Sequence, residues 1–246
     1  MPFRREQFVN EEIYHIVVRG IDNNLIFKDI DDYYRGIFSI YEFNNGNSVS
    51  ITKRRRDIRK AKENMKLGQA RVLTSSFDLI DNRDKLVEIL AFCFMPNHIH
   101  LLLKQVQENG ISVFMQKLNG GYGRYFNIKY KRKGYVFQNR FVSVIIKTND
   151  QLKIVFVYVH TNPVSLIEPK WKEIGIKNYD NVIQFLEEKY RWSSYFDYIN
   201  KKNFPSVTER NFMFETMGGE EGSKDSIYNW IKYKNEFTEF PDLKLE

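Results

Sequence analysis

The sequence predicts a fold that combines strands and helices, because strand-like and helix-like patterns alternate along the chain. The first strand is predicted over Glu12 to Arg19, which is rich in β-branched and aromatic residues. A helix is predicted over Ile30 to Phe43, and acidic residues that suit the positive end of a helix dipole stand at its start, namely Asp29, Asp31 and Asp32. A two-stranded hairpin and a second helix follow. This order predicts a sheet with helices packed on it.

The hairpin is the most apolar part of the chain. Leu86 to Phe94 and His98 to Lys104 are predicted to pair across the turn Met95-Pro96-Asn97. Strand side chains alternate between two faces, so His98 and His100 project to the same face. One histidine on a strand is usually a hydrogen-bonded structural residue, but these are two of only four histidines in 246 residues. A structural pair and a metal site both stay open on this pattern.

The second helix is predicted over Ile111 to Tyr130, where apolar residues recur at helical spacing and Gly134 closes the pattern. Gly120, Gly121 and Gly123 are costly inside a helix. They indicate either a break in the helix or close packing against a strand or DNA. Tyr135 to Lys147 is predicted to be another strand region.

The segment Gln151 to Pro163 fits two structures. Its β-branched residues favour a strand, whereas its apolar stripe, the capping residues before it and the final proline favour a helix. Tyr158 and Asn162 would lie about 6 Å apart along a helix and about 13 Å apart along a strand. Only the helix would let both side chains reach one ion. Because residues before proline avoid the α region, Asn162 is expected at the fraying end of such a helix.

Composition limits the kind of site. The single cysteine, Cys93, excludes an internal disulfide framework and a cysteine zinc cluster, so a metal would need histidine, carboxylate or amide ligands. The N-terminus is charged and no apolar run approaches membrane length, which predicts a cytoplasmic protein without a membrane partner.

The charge distribution indicates a nucleic-acid partner. The chain carries a net charge of +7, and basic residues concentrate in residues 53–62 and 129–133. The second cluster is interleaved with Tyr125, Phe126 and Tyr130, which suit stacking on bases. For residues 53–62, a solvated helix face or arm remains as good an interpretation as a phosphate contact.

The block Met95 to Leu103, joined to Tyr158-Val-His-Thr-Asn162-Pro163-Val164, resembles the single-tyrosine HUH transposases. Within them the closest likeness is to the REP-associated tyrosine transposase branch. The resemblance runs from about residue 12 to about residue 198, with an unusual basic insertion near residues 48–80. One departure is Val164 to Ile167, where relatives usually have a basic residue followed by Ala-Gly.

This resemblance implies a ferredoxin-like α+β fold, an antiparallel sheet with helices on one face and the histidines on a central strand. It implies a catalytic domain over residues 1–165. Residues 166–246 would then form a mainly helical C-terminal extension that packs on the core or contacts DNA.

The resemblance also implies the chemistry. His98 and His100 would hold Mg²⁺ or Mn²⁺ with Asn162 as a third ligand, and Tyr158 would attack DNA to form a 5′-phosphotyrosine. The expected partner is single-stranded or hairpin DNA, and both a homodimer and a monomer fit these residues. The predicted DNA contacts are Arg54, Arg55, Arg56, Lys131, Arg132, Gln138 and Arg140.

Two other histidines carry no predicted catalytic role. His15 matches a position on the first strand of the family, and His160 points away from the Tyr158 face of a helix, towards packing or solvent. Two other functions remain open at this point. One is a non-catalytic, domesticated nucleic-acid-binding protein of the same fold, and the other is a metal phosphoesterase that uses water as its nucleophile.

Overall fold

A computed structural model of the protein describes residues 7–52, 56, 59, 81 and 83–233. Its four-stranded sheet consists of β1 (Ile13–Arg19), β2 (Val87–Met95), β3 (His98–Gln105) and β4 (Val142–Ile146). The strand order is β2-β3-β1-β4, and every neighbouring pair is antiparallel. The two inner strands are therefore β1 and β3, as expected for the histidine strand.

Helices connect the strands in the order of a ferredoxin-like fold. Helix α1 (Ile30–Glu42) lies between β1 and β2, and α2 (Gly110–Lys129) lies between β3 and β4. Helix α3 (Asn149–Thr161) follows β4. The C-terminal region contains α4 (Trp171–Ile174), α5 (Tyr179–Gln184), α6 (Tyr195–Tyr198), α7 (Arg210–Met217) and α8 (Gly219–Tyr233). The α+β fold predicted from the sequence is confirmed. None of the described helices is both long and apolar enough to cross a membrane.

Both faces of the sheet are covered, so the expectation of helices on one face was wrong. One face packs against α1 and α2 through side chains such as Ile16, Leu101 and Phe114. The other face packs against α3 and the C-terminal helices through Leu102, Val155 and other buried residues. The reason lies in β2, where all residues except Glu88 are buried and both faces are apolar. A sheet that is apolar on both faces needs a layer on each.

The ambiguous segment before Pro163 is helical. Thr148 caps α3 by accepting a hydrogen bond from the Gln151 amide at 3.1 Å. Val155 and Val159, which favour strands in isolation, are fully buried against the second face of the sheet. Tertiary packing therefore outweighs their strand propensity. Asn162 keeps α-helical angles (φ −51°, ψ −40°) although a proline follows, and a short 3₁₀ helix, Asn162–Leu166, continues the chain.

Helix α2 is continuous through its three glycines. A Cβ atom on Gly121 would lie 2.2 Å from the ring of Phe43 at the end of α1, whereas Gly120 faces open space. Close packing is therefore the reason for Gly121, and its partner is neither a strand nor DNA.

The predicted strand region Tyr135 to Lys147 is shorter than expected, and the predicted basic insertion lies mostly outside the described residues. In the predicted strand region Tyr135 to Lys147, regular strand begins only at Val142, and the preceding part makes one isolated bridge between Phe137 and Gly20. Most of the basic insertion near residues 48–80, including Arg54 and Arg55, lies outside the described residues.

Candidate functional site

The two histidines of the hairpin share one face of a central strand. His98 pairs with Arg19 of β1 and His100 pairs with Val17. Their ring centroids lie 4.8 Å apart, with the rings 76° from parallel. His100 is fully buried and His98 is half-buried. The pair is thus close enough to share one small ion, with His98 nearer to solvent.

A third histidine joins them from the neighbouring strand. Nε2 of His15 lies 3.0 Å from Nδ1 of His100, and the two buried rings are stacked within 4° of parallel. Burial lowers the pKa of His15 to about 3. Burial also lowers the pKa of His100 well below its usual value, helped by His15, His98, Arg19 and Lys172 nearby. Both rings are therefore neutral at neutral pH, which is the form that accepts hydrogen bonds and binds metals.

Each hairpin histidine has a neighbour close to its Nδ1 atom. Nδ1 of His98 lies 2.6 Å from Oδ1 of Asn97, which can only accept, so this nitrogen carries a proton, and in the neutral ring the lone pair is then on Nε2. Nε2 of His100 is buried without a hydrogen-bond partner among the described residues. A buried ring nitrogen without a partner is costly, and a bound cation would satisfy it in the tautomer that leaves the lone pair on Nε2.

The structure brings Tyr158 to these histidines. From α3, its ring lies 5.6 Å from the His100 ring and 5.8 Å from the His15 ring, near-perpendicular to both. Tyr158 is 7% exposed, so its body is packed while part of it stays accessible. The helix places Tyr158 on the histidine face because Val155 and Val159 occupy the neighbouring core.

Asn162 lies one helical turn beyond Tyr158 and is 5% exposed. Its Nδ2 donates to the backbone oxygen of Tyr158 at 2.7 Å. This bond occupies the nitrogen end of the amide, and Oδ1 is the end that can bind a cation. The described residues contain no group of three or more His, Cys, Asp or Glu side chains that could hold a metal. A cation at His98 and His100 would therefore need oxygens from an amide, a phosphate or water.

His15 is the site residue that sequence reasoning missed. Alternation along β1 places His15 and Arg19 on one face, but the sequence does not show which strand is its neighbour. The register that sets His15 opposite Leu102 is a tertiary property.

His160 belongs to the packing of the second face. It is fully buried, its Nε2 lies 2.7 Å from Oγ of Ser194, and its ring contacts Phe156. Burial lowers its pKa to about 3. Of the two environments expected for His160, packing and solvent, the structure shows packing.

The predicted DNA contacts occupy several surface segments. Arg56, Lys131, Gln138 and Arg140 are exposed, and Arg132 is half-buried over the Phe126 ring at 5.5 Å. Beyond the end of α2, Lys131 and Arg132 line an open depression together with Arg124, Asn127, Ile128 and Lys133. Lys129, by contrast, forms ion pairs with Asp29 and Asp32. The depression therefore presents four cationic side chains to solvent, those of Arg124, Lys131, Arg132 and Lys133.

Two comparisons with known proteins found similarities to this chain. The family model described as "Transposase IS200 like" matches residues 46–162, a range that includes His98, His100, Tyr158 and Asn162. Among solved structures, a REP-associated tyrosine transposase bound to a REP hairpin is similar to this chain with a TM-score of 0.46 and 15% identity. That similarity covers 86% of this chain and 96% of the other. No curated protein matches the chain.

Proposed function

We propose that this chain is an IS200-like transposase, the family whose model matches residues 46–162, and that it cuts and rejoins DNA through a covalent bond to Tyr158. The observation that carries the proposal is the meeting of Tyr158 with the histidines: its ring lies 5.6 Å from that of His100. A tyrosine placed beside two imidazoles of one strand face has the parts needed for metal-assisted attack on a phosphodiester.

The residues present fit a divalent cation. His98 and His100 would bind Mg²⁺ or Mn²⁺ through their Nε2 atoms, and Asn162 would add its amide oxygen. Nε2 of buried His100 has no hydrogen-bond partner in the part of the chain that the structure describes, which supports this ligand set. When bound, the cation polarises the scissile phosphate and offsets the negative charge that develops on it.

His15 would set the tautomer of His100. If Nε2 of His100 carries the lone pair for the cation, its Nδ1 carries the proton and donates to Nε2 of His15 across the 3.0 Å bond. The low pKa of His15 keeps that acceptor neutral at neutral pH. Asn97 would set the tautomer of His98 in the same way.

The covalent step exchanges one phosphodiester for another. The Tyr158 hydroxyl oxygen attacks the phosphorus and loses its proton to water, while the bond from phosphorus to the 3′ oxygen breaks. The 3′ oxygen takes a proton from water and leaves as a hydroxyl, so a 5′-phosphotyrosine remains on the protein. Attack by another DNA 3′-hydroxyl reverses the step at a new junction and needs no ATP.

The DNA would be single-stranded or folded into a hairpin. Exposed cations at the end of α2 support binding of a phosphate backbone. Phe126, which the sequence suggested for base stacking, is fully buried and takes no part in it. One tyrosine cuts one strand at a time, so a homodimer with two active sites and a monomer acting in sequence both fit this chemistry.

The test is adduct formation. Labelled single-stranded hairpin DNA is incubated with the protein and Mn²⁺ or Mg²⁺, and the mixture is separated on a denaturing gel. We expect a covalent protein–DNA band that Tyr158→Phe abolishes. Tyr135→Phe is the matched control, because Tyr135 is 80% exposed, and its adduct should equal that of the wild type.

Two outcomes would contradict the proposal. Cleavage that survives in Tyr158→Phe would indicate a phosphoesterase that uses water. DNA binding without any adduct, across both metals and several hairpins, would indicate a non-catalytic nucleic-acid-binding protein.

A further inference from the structure

A lysine from the C-terminal region reaches the site beside Tyr158. Nζ of Lys172 lies 4.9 Å from the centroid of the Tyr158 ring. Lys172 belongs to α4, which lies after the family match ends at residue 162. The ammonium group beside Tyr158 therefore comes from a part of the chain that lies outside the family match.

The backbone that carries Lys172 is fixed on both sides. Trp171 is only 2% exposed and packs in the core on the second face of the sheet. Its amide donates to the backbone oxygen of Glu168 at 3.1 Å. The carboxylate of Glu168 in turn accepts from the amides of Lys177 and Asn178 at 3.0 and 3.1 Å. Lys172 is thus held on an anchored segment that extends directly from α3.

The charge of Lys172 also acts on the histidines. It is among the groups that lower the pKa of His100, after burial and together with His15, His98 and Arg19. The distances place it there independently, because Nζ lies 4.9 Å from the centroid of the Tyr158 ring and that centroid lies 5.6 Å from the centroid of the His100 ring. The side chain itself is half-buried, whereas the neighbouring Lys170 is exposed.

We propose that Lys172 is a further catalytic residue, which donates a hydrogen bond to a non-bridging oxygen of the scissile phosphate when Tyr158 attacks. This inference rests on the proposed function. The attacked phosphorus must lie at the Tyr158 hydroxyl, so its oxygens come within the reach of a cation beside that ring. Lys172 keeps its protons throughout, and the bonds made and broken are those of the cleavage step. A fixed positive charge stabilises the transition state more than the bound substrate, because negative charge on the phosphoryl oxygens increases there.

A purely structural role, in which the lysine only packs on the ring, predicts a different set of results. The experiment uses the full chain and the hairpin oligonucleotide on which the wild type forms its adduct. The single-turnover cleavage rate and the Kd for that oligonucleotide are measured for Lys172→Met, Lys172→Arg and the matched control Lys170→Met.

We expect Lys172→Met to cleave about 100-fold more slowly, the usual loss for one stabilising donor, with Kd changed by less than about 3-fold. Lys172→Arg should recover a rate within about 10-fold of the wild type, because it restores the charge. Lys170→Met should match the wild type in both quantities. Should Lys172→Met fail to fold, Lys172→Gln replaces it and the same slow rate is expected.

A folded Lys172→Met or Lys172→Gln variant that cleaves within about 3-fold of the wild-type rate would overturn the role of Lys172 and leave the proposed function standing. The same holds if Lys172→Arg is as slow as Lys172→Met. A wild-type protein that forms no adduct at all would instead overturn the proposed function, and the role of Lys172 with it.

Discussion

His15 and His100 share a buried hydrogen bond across the two central strands, with 3.0 Å between Nε2 of His15 and Nδ1 of His100. The bond joins His15, which is proposed to set a tautomer, to His100, a proposed metal ligand. It fixes the orientation of the His100 ring, since the two rings stack within 4° of parallel.

This bond predicts an effect of His15 on metal binding. His15→Phe removes the acceptor and should weaken Mn²⁺ binding by about 10- to 100-fold, the usual effect of losing such a supporting partner. His15→Gln keeps an oxygen acceptor and should lose less. Mn²⁺ titration followed by electron paramagnetic resonance measures the affinity, and circular dichroism checks the fold. Equal affinity in folded His15→Phe and wild type would contradict the assignment.

Asn162 should act on both stability and metal binding. Asn162→Ala removes the 2.7 Å hydrogen bond to the Tyr158 carbonyl and should lower the free energy of unfolding by about 1 kcal/mol. The same variant should bind Mn²⁺ more weakly, because the amide oxygen is lost. Asn162→Asp retains an oxygen ligand and should keep more of the metal affinity. Unfolding in urea and Mn²⁺ titration separate the two effects, and an Asn162→Ala variant with unchanged affinity would exclude Asn162 as a ligand.

The glycines of α2 provide a matched pair for stability. Gly121→Ala would place a Cβ 2.2 Å from the ring of Phe43 and should destabilise the protein by about 1–3 kcal/mol. Gly120→Ala meets nothing within 4 Å and should stabilise it by up to about 1 kcal/mol through better helix propensity. Urea unfolding measures both. Equal effects of the two substitutions would mean that Gly121 does not pack closely on α1.

The buried histidines predict a loss of stability in acid. The pKa of His160 is about 3 in the folded protein and returns to about 6.5 on unfolding, so the unfolded state binds the extra proton between these values. Its contribution is fully present above about pH 6.5 and should fall by about 2 kcal/mol at about pH 5. His15, with the same pKa shift, should add a similar loss.

Urea unfolding of metal-free protein at about pH 7.5 and about pH 5 measures this loss. His160→Phe is the comparison, because phenylalanine fills the site without titrating, and it should show a smaller difference between the two pH values. An identical difference in the variant and the wild type would show that His160 does not contribute.

The sequence was sufficient where the pattern is local. The bounds of α1 and of the hairpin followed from periodicity, capping residues and the Pro-Asn turn, and the structure places them within about two residues of the prediction. The His98–His100 pair on one strand face followed from the alternation of strand side chains in the same way. The resemblance to single-tyrosine transposases rests on equally local blocks, and the family match includes them.

The sequence did not predict features that depend on contacts between segments far apart in the chain. The strand propensity of Val155 and Val159 conflicted with the caps of α3, and burial against the sheet decided for the helix. The expectation of helices on one face of the sheet was wrong because the continuous apolar run of β2 buries side chains on both faces.

The sequence by itself determined the reactive groups and their local spacing: two histidines on one strand face, and a tyrosine and an asparagine one helical turn apart. Only the tertiary structure decided which groups share a site. The β1–β3 register places His15 against His100, and α3 packs with Tyr158 towards both. The C-terminal helices fix Lys172 beside that tyrosine. Periodicity describes the faces of one element, whereas register and packing depend on segments far apart in the chain, and these contacts bring residues 15, 100, 158 and 172 together.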